Sequence, residues 1–337
     1  MVGEVVWGYM KTVIRLNRRR LKALGDASGV YHCMTRVVAG EHLLGSRERE
    51  VLRKQLHRQA EFCGVQVLTY CIMSNHFHVL VRVPPEGETR GVSDEELVRR
   101  VHALYPRDKA LVWESRLRGE ESEAVRERLL ARMGDVSQFM RELKHRFSLW
   151  YNRSRGRYGT LWAERFKSVL VSPDRTSLLA VSCYIDLNPV RAGLCQDPKD
   201  YRWCGYGEAC GGSEVSRSGL RRVLEATDWR ACQKAYRVHL FGRANATLQG
   251  EGRGLPEASV TRVKGREGDL SLPEVLRCRV RYFTAGAAIG TREFVEQVLR
   301  ENGGMFGKNR KSGPVRMRGK GLREFYSLRN LQKNVFG

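Results

Sequence analysis

The sequence predicts an α+β protein built on a ferredoxin-like βαββαβ antiparallel sheet, with helices on one face. Three observations carry that prediction. Residues 74–83 (SNHFHVLVRV) alternate polar Ser74, His76 and His78 with apolar Phe77, Val79 and Val81, the period of a half-buried strand. Two stretches, 47–63 and 136–152, repeat apolar residues at helical spacing. The predicted elements then run strand, helix, strand, strand, helix, strand, an order that closes an antiparallel sheet under two helices.

Taken in order, residues 1–27 hold Arg15, Arg18, Arg19, Arg20 and Lys22 with little periodicity. They read as a basic N-terminal arm, laid on a phosphate backbone or simply mobile. Residues 30–38 (VYHCMTRVV) are rich in β-formers and make the first strand. In 47–63, Val51, Leu52, Leu56, Ala60 and Phe62 form an apolar stripe, and Gly64 stops the helix. Residues 65–73 (VQVLTYCIM) are the second strand, so close to the histidine strand that the two must pair as a hairpin around Ser74-Asn75. Pro84-Pro85 ends that strand. Residues 86–135 concentrate acid and show no strand pattern, as expected for a helical insertion on the outside of the fold. In 136–152 the stripe is Phe139, Leu143, Phe147 and Trp150, and Arg141, Lys144 and His145 lie off it, continued by Arg153. Gly156 and Gly159 turn the chain into a last strand over 160–171 (TLWAERFKSVLV). Pro173 and Asp174 open a helix through Leu178, Leu179, Val181, Tyr184 and Ile185 that ends at Asn188-Pro189.

Residues 205–219 are rich in glycine and serine and read as a boundary. One helix is expected over 221–241 and a loose segment over 242–268. Helices over 273–283 and 291–300, with Thr291 as N-cap, flank a glycine-bearing turn at 286–290, in the manner of a helix-turn-helix. Residues 308–321 (KNRKSGPVRMRGKG) form a dense basic run that reads as a flexible arm on a phosphate backbone. The organisation expected is a basic arm (1–27), a core domain (28–206, with the insertion near 86–135), a linker and short helical region (207–270), and a helical, basic DNA-binding extension (271–337).

The net charge of +23 over 337 residues points to a polyanionic partner, most simply nucleic acid. Nine scattered cysteines, with no C-x-x-C pair, suit reduced thiols of an intracellular protein. Cys195, Cys204 and Cys210 fit no common zinc spacing. No apolar run is as long as a membrane span, and the start lacks the apolar segment of a secretory signal. A cytoplasmic, nucleoid-associated protein is expected.

The residues that carry chemistry lie far apart in the chain. Side chains on a strand repeat every two residues, so His76 and His78 leave one face within reach of one ion. The run YIDLNPVRAGL sets Tyr184 and Asn188 one helical turn apart on one face. Two imidazoles and an amide oxygen make an open site for a divalent ion, Mg²⁺ or Mn²⁺, with positions left for phosphate oxygens. Tyr184 beside such an ion is a candidate nucleophile, because a phenol with a pKa of about 10 needs a metal or a base to attack. The competing Tyr151 has no polar partner at helical spacing and reads as packing or base stacking.

HFHVLV, GTLWAERFKS and YIDLNPVRAGL, in that order, resemble the HUH-type single-tyrosine transposases, and in particular their REP-associated branch. The resemblance spans residues 29–206 without the insertion. It implies that His76, His78 and Asn188 hold the metal. Tyr184 then attacks a single-stranded DNA phosphate, leaving a 5′-phosphotyrosine and a free 3′-hydroxyl. It further implies hairpin-forming repeat DNA as partner, and a chain that acts as a monomer or a homodimer. Residues expected to contact DNA are Lys144, Arg153, Arg165, Lys167, Arg191, Lys308, Arg310, Lys311, Arg316 and Arg318; Trp162 fits either DNA contact or core. A second class of reading is a repeat-DNA-binding protein without catalysis. The aromatic strand signatures of RNA-binding modules on the same plan are missing.

Overall fold

The structure, a computed structural model, describes residues 27–241, 282–306, 313–318 and 320–329, together with Leu21, Ala23, Pro273 and Leu276. β1 (Gly29–Arg36) leads to α1 (Ser46–Cys63), which returns the chain to the hairpin of β2 (Gln66–Ile72) and β3 (His76–Val83). The insertion is helical: α2 (Glu86–Arg90), α3 (Asp94–Leu104), α4 (Arg107–Leu117) and α5 (Ser122–Leu130). The long α6 (Val136–Arg155), β4 (Lys167–Val171), α7 (Arg175–Asp186) and the short α8 (Asn188–Arg191) follow. Next come α9 (Gly205–Cys210), α10 (Glu214–Leu224) and α11 (Trp229–Phe241). The described C-terminal residues add α12 (Tyr282–Ala285), β5 (Gly286–Gly290), α13 (Arg292–Glu301), β6 (Val315–Arg316) and β7 (Tyr326–Arg329).

The sheet has seven strands in the order β2-β3-β1-β4-β5-β7-β6. Its first four strands, antiparallel with β1 between β3 and β4, are the ferredoxin-like plan read from the sequence. Strand alternation then sorts the core in two. Tyr31, Cys33, Phe77, Val79, Val81 and Leu170 pack under α1 and α6, against Leu52, Leu56, Phe139, Leu143 and Phe147. Val30, Met34, Leu80, Val169 and Val171 face the other way and bury against α7 and α9–α11. The helix ends follow local chemistry. Gly64 (φ 65°) and Gly156 (φ 57°) close α1 and α6 in the left-handed conformation. The carboxylates of Asp135 and Asp174 accept from Gln138 N (2.7 Å) and Ser177 N (2.9 Å).

Several expectations are corrected. The insertion is no appendage, since Leu97, Val101, Val125 and Leu129 join the core of α1 and α6. The last strand begins only at Lys167; Leu161 and Trp162 lie in a loop whose Trp162 makes a single bridge to Val37. The glycine- and serine-rich stretch after Tyr206 is helical and packs on the sheet. A Cβ on Gly219 would meet Val67 O at 2.5 Å and Leu68 O at 2.6 Å, so this glycine serves close packing against β2 rather than flexibility. The single helix expected over 221–241 is two, α10 and α11, parted where Glu225 takes a left-handed φ of 53°.

The glycine-bearing turn at 286–290 is β5, parallel to β4, so the helix-turn-helix reading fails. Its small residues let it lie close, and a Cβ on Gly290 would collide with Ser172. Thr291 does cap α13, accepting from Phe294 N at 3.2 Å. Part of the expected flexible tail is ordered: Arg316 belongs to β6, paired with Tyr326 of β7, and Met317 is buried. Lys308, Arg310 and Lys311, most of the N-terminal arm, and most of the helix expected over 273–283 lie outside the described residues. Among the described residues, no helix is long and apolar enough to cross a membrane.

Candidate active site

β1 and β3 pair so that Met34 lies opposite His78 and Arg36 opposite His76. His32, two residues before Met34, therefore shares the face of the two histidines and lies diagonally across from His78. The three rings form a cluster. His76 and His78 have centroids 5.2 Å apart, and His32 stacks on His78 at 5.1 Å. His32 Nε2 is 2.9 Å from His78 Nδ1, and His32 Nδ1 is 2.9 Å from the carbonyl oxygen of Phe283. Asn75 donates its Nδ2 to Gly40 O at 3.1 Å, which turns its Oδ1 to the Nδ1 of His76 at 2.6 Å. Burial is the largest influence on both inner rings. It holds His32 down to about 4 and His78 well below the ordinary histidine value, so both are neutral at pH 7.

α7 lays Tyr184 on this cluster. The phenol ring stands edge-on to His78 at 6.3 Å and to His32 at 6.2 Å. The opposite side of the helix is anchored through Asp186, which is fully buried. Its carboxylate accepts from Thr69 Oγ1 (2.9 Å), Tyr236 OH (2.6 Å) and Tyr206 N (3.2 Å). These bonds tie α7 to β2, α9 and α11 and so fix the rotation of the helix that presents Tyr184. Arg191 on α8 donates to the backbone oxygens of Tyr184 (2.6 Å) and Leu276 (2.7 Å), with its guanidinium 4.2 Å from the centre of the Tyr184 ring. The ring of Phe283 stacks on Tyr184 at 4.8 Å, and Tyr184 is only 4% exposed.

Thus His76, His78, Tyr184 and Arg191, read separately from the sequence, meet on one covered face. Asn188 begins α8, one turn beyond Tyr184. Its Nδ2 donates to Ile185 O (2.9 Å) and Tyr184 O (3.3 Å), which leaves the amide oxygen as the side chain's acceptor. As donors for a hard or borderline divalent ion the set fits. Asn75 keeps the proton of His76 on Nδ1, the buried His78 ring is neutral, and Asn188 offers oxygen. Among the described residues no three of His, Cys, Asp or Glu are arranged to hold an ion.

Other predicted contacts lie elsewhere. Tyr151 is buried beside Phe147, on the α6 side of the sheet away from the histidines, a packing residue. Lys144 and Arg153 also belong to α6; Lys144 donates to Glu164 O at 2.8 Å, and Arg153 is exposed. Arg165 and Lys167 are exposed where the chain enters β4, Lys167 paired with Glu164 at 2.9 Å. Arg316 and Arg318 are exposed near β6. Two participants escaped the sequence reading, His32 and Phe283. A signal for His32 was present: it stands between Val30 and Met34 on the same strand face, and the ferredoxin-like plan sets the first and third strands side by side.

The segment that builds the histidine side, residues 27–93, matches the family model of IS200-like transposases. Among solved structures the chain is similar to a REP-associated tyrosine transposase bound to a REP hairpin. That likeness has 14% identity and a TM-score of 0.37, over 59% of this chain and 89% of that one. No curated protein matches the chain. Tyr184 and Asn188 lie beyond the segment matched by the family.

Proposed function

We propose that the protein cuts and rejoins single strands at hairpin-forming repeat DNA. Tyr184 is the nucleophile, and His76, His78 and Asn188 would hold a divalent ion, Mg²⁺ or Mn²⁺. The observation that supports this most is the approach of the Tyr184 ring to His78, 6.3 Å between centroids, from elements more than a hundred residues apart. In the reaction the phenolic oxygen bonds to the scissile phosphorus as it loses its proton, the P–O3′ bond breaks, and the leaving 3′-oxygen takes up a proton. The products are a 5′-phosphotyrosine and a 3′-hydroxyl, and attack by another 3′-hydroxyl reverses the step and joins a new strand. The bound ion would withdraw charge from the phosphate oxygens. Arg191 adds a positive charge over the phenol, where an anionic phosphate would come. The exposed cations Arg153, Arg165, Lys167, Arg316 and Arg318, with Lys144, would follow the DNA backbone.

One gel tests the reading. The protein is incubated with labelled hairpin oligonucleotides and Mn²⁺ and then denatured. A covalent adduct is expected from the wild type and from Tyr151→Phe, and none from Tyr184→Phe. An adduct persisting in Tyr184→Phe overturns the assignment. The stacking of Phe283 on Tyr184 favours a second reading, a repeat-DNA-binding protein without catalysis; it predicts hairpin binding with no adduct in any variant.

A further inference from the structure

We propose that His32 is a positioning residue of the metal site: it keeps the proton of His78 on Nδ1 and thereby turns the Nε2 lone pair of His78 toward the ion. The inference rests on the reading of His76 and His78 as ligands.

The argument is one of hydrogen-bond direction. A backbone carbonyl oxygen can only accept, so at 2.9 Å from Phe283 O the Nδ1 of His32 must be the donor. In a neutral imidazole the other nitrogen then accepts, and His78 Nδ1, 2.9 Å from His32 Nε2, must donate. The alternative, a doubly protonated His32, would bury a charge at 1% exposure, with the cationic Arg191 nearby and, among the described residues, only Phe283 O and His78 Nδ1 as hydrogen-bond partners of the ring. The proton order therefore runs from His78 Nδ1–H to His32 Nε2, and from His32 Nδ1–H to Phe283 O. Asn75 does the same for His76 through its Oδ1, so both ligand rings receive one tautomer from different partners. Metal-bound imidazoles are commonly oriented in this way by a hydrogen bond at the far nitrogen. One consequence reaches the C-terminal segment. Phe283 holds His32 through its backbone while its ring covers Tyr184, so one residue grips both halves of the site.

The test reads tautomer and binding rather than turnover. In the metal-free protein, with ¹⁵N-labelled histidine, long-range ¹H–¹⁵N NMR should show His78 as the Nδ1–H form. Co²⁺ titrations followed by visible absorption should show roughly 10- to 100-fold weaker binding for His32→Phe, which fills the space without hydrogen bonds. His32→Gln, whose amide can donate to Phe283 and accept from His78, should bind close to wild type. An Nε2–H tautomer of His78, or wild-type Co²⁺ binding by His32→Phe, overturns the proposal. If His32→Gln loses the ion as fully as His78→Ala, His32 is itself a ligand and the proposal also fails. If His76→Ala and His78→Ala both bind Co²⁺ as the wild type does, it is the underlying metal-site reading that fails. Should His32→Phe not fold, the wild-type tautomer decides.

Discussion

The ring of Phe283 lies stacked on that of Tyr184, 29° from parallel with centroids 4.8 Å apart, and covers one face of the candidate nucleophile, which is 4% exposed. On the proposed function, opening this contact is expected to ease the approach of a phosphate to the phenol. Phe283→Ala keeps the backbone carbonyl that holds His32 and removes only the cover. Because Phe283 is fully buried, the change should cost about 3–5 kcal/mol of stability, measured by urea unfolding. Under native conditions it should also speed nitration of Tyr184 by tetranitromethane, read by peptide mass mapping. Nitration at the wild-type rate would show that the ring does not gate access.

Asp186 faces away from the histidines, yet it sets how α7 presents Tyr184. Three buried donors, Thr69, Tyr236 and the Tyr206 amide, point at its carboxylate. Asp186→Ala leaves all three unsatisfied at about 1–3 kcal/mol each and should unfold the protein or nearly so. Asp186→Asn keeps one carboxamide oxygen as acceptor and should be the milder change. Tyr236→Phe removes a single donor and should cost about 1–3 kcal/mol in the same unfolding assay. Equal stability of Asp186→Ala and the wild type would mean that the anchor has no energetic role.

The sequence reading caught what is local and periodic. Alternation located His76 and His78, and the capped helix ending at Asn188-Pro189 located Tyr184, because backbone geometry enforces those periods. It lost what depends on partners remote in the chain. His32 gains its meaning from His78, 46 residues away, and from Phe283, 251 residues away. Glycine misled twice in one way. Gly219 and Gly290 were read as linker and turn, whereas each is small because another strand or helix passes against it. A glycine that bends the chain and one that admits a neighbour are the same letter, and only the tertiary partner tells them apart.

Glu208 joins α9 to α1, β2 and α10: it accepts from His57 Nε2 (2.9 Å), Tyr70 OH (2.8 Å), Ser216 Oγ (2.6 Å) and Arg53. Burial by itself pushes this carboxyl up, but the hydrogen bonds and the charge beside it outweigh burial and hold it down to about 2, from 4.5. A depressed folded value means that the stabilisation is whole above pH 4.5 and is lost as pH falls toward 2. Wild-type stability should therefore decline through that window. Glu208→Gln should be less stable near pH 7 and show a flatter acid limb. Parallel acid limbs in urea midpoints for the two proteins would remove Glu208 as the cause.

Exposed cations on two parts of the surface, Arg153 at the end of α6 and Arg165 before β4, are expected to meet phosphates rather than bases. Each phosphate contact releases counterions, so its loss lowers the slope of log K against log salt by about 0.7–0.9. Arg153→Ala and Arg165→Ala should each weaken binding to a hairpin oligonucleotide and flatten its salt dependence by about that amount, measured by fluorescence anisotropy at several salt concentrations. Tyr184→Phe changes no charge and should keep the full slope. Binding and chemistry are thereby separated. A variant that loses slope but still forms the covalent adduct at saturating DNA marks a backbone contact. A slope unchanged in both arginine variants would return those side chains to ordinary solvated surface.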